Sequence, residues 1–148
     1  MIAHVSHVRR WIQVALVYFD LAVMLGVAMA ATHDFRLRPV HVHMNLLGWV
    51  SCALTGGIYL LFPSAAETLA ARIHFWLYNL TLPVMMASLG AMMLGYSHAE
   101  PVVAASSVLM LAAVATFVVT ILRHSARFGR VPVAAAARVE AVTRGRPA

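Results

Sequence analysis

The sequence predicts an all-α integral membrane protein built as a bundle of four transmembrane helices. Hydrophobic residues make up 62% of the 148 residues, charged residues make up 11%, and the mean hydropathy is +0.83. These values lie far outside the range of soluble domains. A bilayer core of about 30 Å needs about 20 apolar residues per helix. Four stretches meet this requirement, at 11–31, 40–62, 73–95 and 101–122.

Short polar segments separate the four spans. They read "THDFRLRP", "PSAAETLAAR" and "SHAEP", and each contains proline or charge that suits a helix end. Residues 1–124 are assigned to the transmembrane domain and 125–148 to a basic tail, with a surface helix near 133–142. The first apolar run lacks a small-residue cleavage signature and is expected to be retained. A single cysteine, Cys52, excludes an intramolecular disulfide and a cysteine-rich metal site.

The arginines predict the orientation, because cytoplasmic loops carry an excess of positive charge. All eleven basic residues are arginines. Arg36 and Arg38 lie between the first two spans, whereas the opposite side receives Arg9, Arg10, Arg72, Arg123, Arg127 and Arg130. Both termini are therefore predicted to be cytoplasmic, in a membrane such as the bacterial inner membrane. Arginines at the span ends indicate contact with anionic lipid and not with nucleic acid.

Histidines collect at the opposite, outer side. His41 and His43 begin the second span, and His33 and His98 lie at the same level. His74 opens the third span a membrane thickness away, so it cannot share a metal with His41. Successive residues of an α-helix are rotated by about 100°, so His41 and His43 project about 200° apart. The pattern indicates a helix that lies between two sites.

Haem is the partner that these imidazoles suit best. Haem iron takes histidine as a strong axial ligand, and the porphyrin adds apolar area between helices. Arg36 and Arg38 lie shortly before His41, at the depth where propionates would emerge, and arginine binds carboxylates well. The alternative is an interfacial histidine pair that water and lipid headgroups satisfy.

Three further residues of the second span are assigned to the same cofactor site. Asn45 lies one turn after His41 and can orient its imidazole. Gly48 and Gly56 are small positions that admit either a flat ring or a neighbouring helix, and helix packing alone explains them equally well.

From Arg38 to Pro63 the sequence resembles the catalytic subunit of the haem-copper oxidases and the related nitric-oxide reductases. The resemblance is carried by His41-Val42-His43, Gly56-Gly57 and Phe62-Pro63, which stand in the order of an oxidase helix that binds both haems. "RPVH" and "HMNLL" resemble segments around the low-spin haem ligand of cbb3-type oxidases and nitric-oxide reductases. The first pattern makes His43 the low-spin ligand, whereas the second points to His41.

This resemblance implies haem b and either electron transfer or redox chemistry on oxygen or nitric oxide, with a redox partner. The family subunit has twelve helices in three repeats of four, so a homotrimer would rebuild its layout; a dimer that shares haems is the alternative. The adjacent histidine pair that the oxidases use for copper is missing. Copper and full oxygen reduction are therefore not expected, and no catalytic residue is assigned.

Other polar residues in the spans have open roles. Asp20 lies near the middle of the first span, where a carboxylate costs ~2.5–3.5 kcal/mol, so it is expected to face the bundle. Its candidate partners are Tyr18, Tyr59 and Asn79, and it serves either a proton path or a structural hydrogen bond. His74 is expected to reach lipid headgroups beside the interfacial residues Arg72, Trp76 and Tyr78, with a quinone or second-haem contact as the alternative. The remaining histidines, His4, His7 and His124, are expected to be solvated.

Two other functions remain open from the residues alone. A metal-handling protein, or an assembly factor for a respiratory complex, would use the outer histidines to hold copper or zinc temporarily. The nine methionines suit copper, but in apolar helices methionine mostly serves packing. A cofactor-free scaffold subunit would use the same histidines only in packing.

Overall fold

The computed structural model describes residues 2–125, with side chains from residue 5 onwards, and this part of the chain is helical without a strand. In chain order its elements are α1 (Ile2–Thr32), α2 (Arg38–His43), a π-helix (Met44–Ser51), α3 (Cys52–Leu61), α4 (Pro63–Ala66), α5 (Leu69–Met93), a 3₁₀-helix (Ser97–Ala99) and α6 (Glu100–Ser125).

Four of the described helical stretches are long and apolar enough to cross a membrane, which confirms the predicted integral membrane protein. They are Val5–Thr32, Arg38–Leu61, Leu69–Met93 and Ser97–Ser125. We call Arg38–Leu61, which joins α2, the π-helix and α3, the second span. α1 begins earlier than predicted because the helix continues through polar residues that a hydropathy criterion leaves out. The predicted tail and its surface helix near 133–142 lie outside the described residues.

The spans pack as two pairs. α1 lies along the second span and α5 lies along α6, and these are the most extensive helix contacts of the described residues. The pairs meet where α2 packs against α5, which we call the His41 end. They meet again where rings from all four spans come together, which we call the Arg-rich end after Arg9, Arg10, Arg72 and Arg123.

Two glycines allow α1 and the second span to approach closely. A Cβ atom on Gly48 would lie 2.5 Å from Tyr18 Cγ, and a Cβ atom on Gly26 would lie 2.9 Å from His41 Cε1. Both distances are too short for a real Cβ atom. Each helix therefore has glycine where the other presents a ring, as small residues do at helix contacts in membranes.

A π-helix occupies the centre of the second span, immediately after His43. Leu47 O lies within this wider turn and accepts hydrogen bonds from Tyr78 OH at 2.9 Å and from Cys52 Sγ at 3.5 Å. Short π-helical segments inside α-helices are rare overall, and those that occur often lie at functional sites. Here the segment sets the rotation of α2, and with it the direction of both histidines, relative to α3.

Local sequence explains how the long helices begin and end. Thr68 Oγ1 accepts a hydrogen bond from Ala71 N at 3.1 Å and so caps α5. His33 ends α1 in the left-handed region with φ of 54°, a conformation that glycine adopts at lower cost. Pro83 lies within α5, where it removes one backbone donor from the helix.

Candidate functional site

His43, the last residue of α2, has a ring that its own helix holds. Its Nδ1 lies 2.7 Å from Pro39 O. A carbonyl oxygen only accepts, so Nδ1 carries the proton and donates, and Nε2 keeps its lone pair. This is the arrangement that orients metal-binding histidines, whose second nitrogen binds the metal. His124 in α6 makes the same contact with Thr120 O at 2.7 Å, so the contact orients a ring without by itself assigning a ligand.

His41 points into the contact between α1 and the second span. Its Nδ1 donates to Ala22 O at 2.9 Å, and Asn45 Nδ2 lies 3.4 Å from its Nε2. The same amide nitrogen donates to His41 O at 2.9 Å. Asn45 therefore lies where it can orient this imidazole, as the sequence suggested. Both ring nitrogens of His41 face protein atoms, which favours a packing role for this histidine.

Arg36 and Arg38, the predicted propionate ligands, have different surroundings. Arg36 Nη2 lies 2.6 Å from Asp34 Oδ2, and its Nε lies 3.0 Å from both carboxylate oxygens. Hydrogen bonds from Arg36 lower the pKa of Asp34 to about 2, and they raise the pKa of Arg36 in turn. Arg38 is exposed and forms no ion pair with a described residue. Arg38 is thus the arginine at this end that remains available to an anionic group.

Gly48 and Gly56 both face α1. A Cβ atom on Gly56 would lie 3.0 Å from Ile12 Cδ1 and 3.2 Å from Trp11 Cβ, and Gly48 faces the ring of Tyr18. These side chains fill the space on this face of the second span. The contacts therefore support the helix-packing interpretation of both glycines and leave no room there for a flat ring.

The outer histidines do not form a cluster. His33 and His98 are exposed, one at the end of α1 and the other in the 3₁₀-helix. Between residues 5 and 125, no three side chains of His, Cys, Asp or Glu come together in a way that could hold a metal ion. If His43 binds a metal ion, the other ligands of that ion must therefore come from a cofactor or from another chain.

His74 is buried at the Arg-rich end, so the expectation that it reaches the headgroups is wrong. It is 1% exposed, and its Nδ1 lies 3.1 Å from Tyr59 OH. Its ring lies between Trp11 of α1 and Phe117 of α6, with centroid distances of 4.8 and 5.0 Å. Aromatic rings bury a large apolar area in such clusters, and this burial stabilises the imidazole in the interior.

The other residues of the predicted interfacial belt differ in their exposure. Arg72 and Trp76 are exposed, as expected for residues that anchor a helix at the interface. Tyr78 is 2% exposed and donates to the π-helix, so its expected interfacial role is wrong. His7 is half-buried and accepts a hydrogen bond from Trp11 Nε1 at 3.2 Å, so it is not simply solvated.

Sequence reasoning missed Tyr59 and Phe117 as contacts of His74. Counting residues across the short connection after Leu61 places Tyr59 at a similar depth to His74, and this signal was available. Depth does not give the rotation of each helix about its axis. The rotations depend on the glycine contacts and on the π-helix, neither of which the apolar pattern reveals.

Asp20 faces outward, so the expectation that it faces the bundle is wrong. It is exposed and forms no hydrogen bond with another described residue. Two of its candidate partners bond elsewhere: Tyr59 to His74, and Asn79 Nδ2 to Phe75 O at 2.8 Å. Gln13, about two turns earlier, is exposed on the same face of α1. α1 therefore has two polar side chains within its span that no other part of the described chain covers.

No family model matches the chain, and no curated protein or solved structure is similar to it. Its functional assignment therefore depends on its own residues and geometry.

Proposed function

We propose that this chain is a haem b-binding membrane protein with a redox function, in which His43 is an axial ligand and Arg38 binds a propionate. The observation that carries the proposal is the proximity of two residues in α2: His43, whose Nδ1 bonds to Pro39 O and whose Nε2 has no partner among the described residues, and Arg38, which is exposed five residues earlier. Imidazole nitrogen is a strong axial ligand of haem iron. No carboxylate of the described residues pairs with Arg38, and its planar guanidinium suits a propionate.

Of the two histidines, one is free to bind haem iron in each chain. His41 lies against Gly26 and bonds to Ala22 O, so using it as a ligand would require α1 to move away. His43 needs no such rearrangement. When bound, haem would supply one-electron redox chemistry, on its own or with oxygen or nitric oxide.

We further propose a distant relationship to the catalytic subunit of haem-copper oxidases and nitric-oxide reductases. His41-Val42-His43, Gly56-Gly57 and Phe62-Pro63 support it, as does the number of spans, which equals one repeat of that subunit.

The chain is proposed to assemble as a homotrimer, and Asp20 supports assembly into some oligomer. An uncovered carboxylate within a span costs ~2.5–3.5 kcal/mol, so the exposed Gln13 and Asp20 face is best explained by burial against a neighbouring subunit. Three copies would give twelve spans. The proposed orientation follows from the distribution of the arginines: the Arg-rich end faces the cytoplasm, and the membrane is a bacterial inner membrane.

Absorption spectra of purified protein, expressed with ample haem, test the ligand assignment. We expect a haem b spectrum that His43→Ala abolishes and that Arg38→Ala weakens through faster haem loss. His124→Ala is the matched control, because His124 makes the same contact with its own helix and should leave the spectrum unchanged. Protein that stays colourless, or an unaltered spectrum in His43→Ala, would refute the proposal.

A further inference from the structure

A narrow cleft opens between the second span and α6, directly beside His74. Its volume is about 240 Å³. Leu54 and Val114 line it and are 61% and 39% exposed, whereas His74 and Thr55 line it at 1% and 7% exposure. The apolar residues are thus the accessible ones, and the polar groups lie at the inner end. Both flanking helices are membrane spans, so this opening faces the acyl chains of the bilayer.

Several groups that can form hydrogen bonds converge on the cleft. Thr55 is buried, and its hydroxyl has no hydrogen bond to another described residue. Ser51 lies one turn before it on the second span, and His74 and Phe117 line the opposite side. The Thr55 hydroxyl can therefore donate or accept a hydrogen bond with a molecule in the cleft. The cleft therefore suits a ligand that has polar atoms at its inner end and an apolar body outside.

The bond between Tyr59 OH and His74 Nδ1 can run in either direction. If the phenol donates at 3.1 Å, the imidazole carries its proton on Nε2 and offers a donor there. If Nδ1 donates to the phenol oxygen, Nε2 offers a lone pair instead. His74 can thus present either a donor or an acceptor without any change of charge.

A second polar space lies behind this pair. The ring of His7 lies 5.0 Å from that of Tyr59, between centroids. His7, Arg10 and Arg72 line a polar cavity of about 530 Å³ at the Arg-rich end. The ring of His7 therefore lies between the Tyr59–His74 pair and this polar cavity, in edge-to-face contact with Tyr59.

We propose that this cleft binds the headgroup of a lipid-soluble quinone, with Thr55 and His74 as its hydrogen-bonding residues. A quinone carbonyl needs a donor and a quinol hydroxyl needs an acceptor, and the Tyr59–His74 bond can supply either. The cleft is smaller than the roughly 300–1,000 Å³ of sites that enclose a drug-sized ligand, so a ring enters while the isoprenoid tail stays in lipid. A lipid acyl chain would make no use of the polar inner end. The proposal goes beyond haem binding and does not depend on it.

Quenching of Trp11 fluorescence by ubiquinone-1 tests the proposal in the purified full chain. The chain has three tryptophans, and Trp49→Phe with Trp76→Phe leaves Trp11, whose ring lies 4.8 Å from His74. We expect saturable quenching by both ubiquinone-1 and its quinol. Thr55→Val keeps the side-chain shape and removes one hydrogen bond, so it should weaken binding about fivefold to tenfold.

Thr120→Val is the matched control, because Thr120 is a buried threonine whose hydroxyl bonds to Thr116 O in its own helix, outside the cleft. It should leave binding unchanged. Three results would each overturn the proposal. They are quenching that does not saturate, an unchanged affinity for ubiquinone-1 in Thr55→Val, and loss of the quenching when the isoprenoid alcohol farnesol is added at the same concentration as ubiquinone-1. Haem content is measured on the same samples: haem without saturable quinone binding refutes only the quinone site, and quinone binding without haem refutes only the haem assignment.

Discussion

Gly48 shows how one absent methyl group sets the distance between two helices. A Cβ atom at this position would lie 2.5 Å from the ring of Tyr18, whereas a Cβ atom on Gly57 would have no atom of the described residues within 4 Å. We expect Gly48→Ala to destabilise the protein by about 1–3 kcal/mol through overpacking. Gly57→Ala should be neutral or stabilising, because alanine is the better helix former. Unfolding in mixed micelles with increasing SDS measures both, and equal stability of the two variants would contradict the close approach.

Asp34 and Arg36 give a residue-scale prediction about pH. The pKa of Asp34 lies at about 2 because Arg36 bonds to it, below the ordinary value of 3.8. The carboxylate form is therefore favoured in the folded protein, and the contribution of the pair is present above pH 3.8 and lost as the pH falls towards 2. Arg36→Gln should raise the pKa of Asp34 towards 3.8, although the backbone N–H of residue 36 still donates to the carboxylate. A carbon-13 NMR titration of aspartate carboxyl groups checks this, with Arg38→Gln as the control that should leave Asp34 unchanged.

At the residue scale, the positions of the polar residues could be predicted from the sequence, whereas the contacts of their side chains could not. It placed His41, His43 and Asn45 at the start of the second span, and the structure places Asn45 against His41. It did not separate Arg36, which bonds to Asp34, from Arg38, because spacing does not show which arginine the 33–37 turn brings to that carboxylate.

At the scale of helices, the rings of Trp11, Tyr59, His74 and Phe117 form a cluster that holds the two helix pairs together at the Arg-rich end. Trp11 is 0% exposed and contacts rings from α5, whereas Trp76 is 52% exposed. We expect Trp11→Ala to cost about 3 kcal/mol, because it leaves a cavity where the pairs meet. Trp76→Ala should cost much less. The same SDS titration measures both variants, and a similar loss in each would show that the cluster does not join the pairs.

The spans could be predicted from the sequence because length and hydropathy determine which segments fit a bilayer. The π-helix could not, because its wide turn depends on contacts across the bundle, such as the bond from Tyr78 to Leu47 O. The burial of His74 could not be predicted for a related reason: its place near the start of the third span follows from the sequence, but the rings of Trp11 and Phe117 that enclose it come from the first and last spans.

At the scale of the whole molecule, the proposed orientation can be tested by labelling single cysteines. Cys52 is 0% exposed and lies within a span, so it gives little background. In intact cells, a maleimide that cannot cross membranes should label Ser97→Cys at the His41 end. Ser64→Cys, in α4 at the other end, should react only after the cells are opened. The reverse pattern would place the termini outside.

The outward face of α1 gives a prediction about assembly. If a neighbouring subunit covers Asp20, Asp20→Leu should reduce the oligomer to smaller species, because the hydrogen bonds of the carboxylate are lost from the contact. Light scattering of the detergent-solubilised protein measures the mass. Glu67→Leu, at an exposed position outside the spans, is the control. A native mass equal to one chain would contradict the proposed oligomer.

The pairwise packing of the helices also bears on how the chain is made. α1 and the second span contact each other through their own rings and glycines, and this contact uses no later residue, although the π-helix within the second span also bonds to Tyr78 of α5. During synthesis this hairpin can leave the translocon and close while α5 and α6 are still within the ribosome. The half of the protein that carries His43 would then have paired before the half that carries His74 enters the bilayer, and the π-helix would gain its bond from Tyr78 only afterwards.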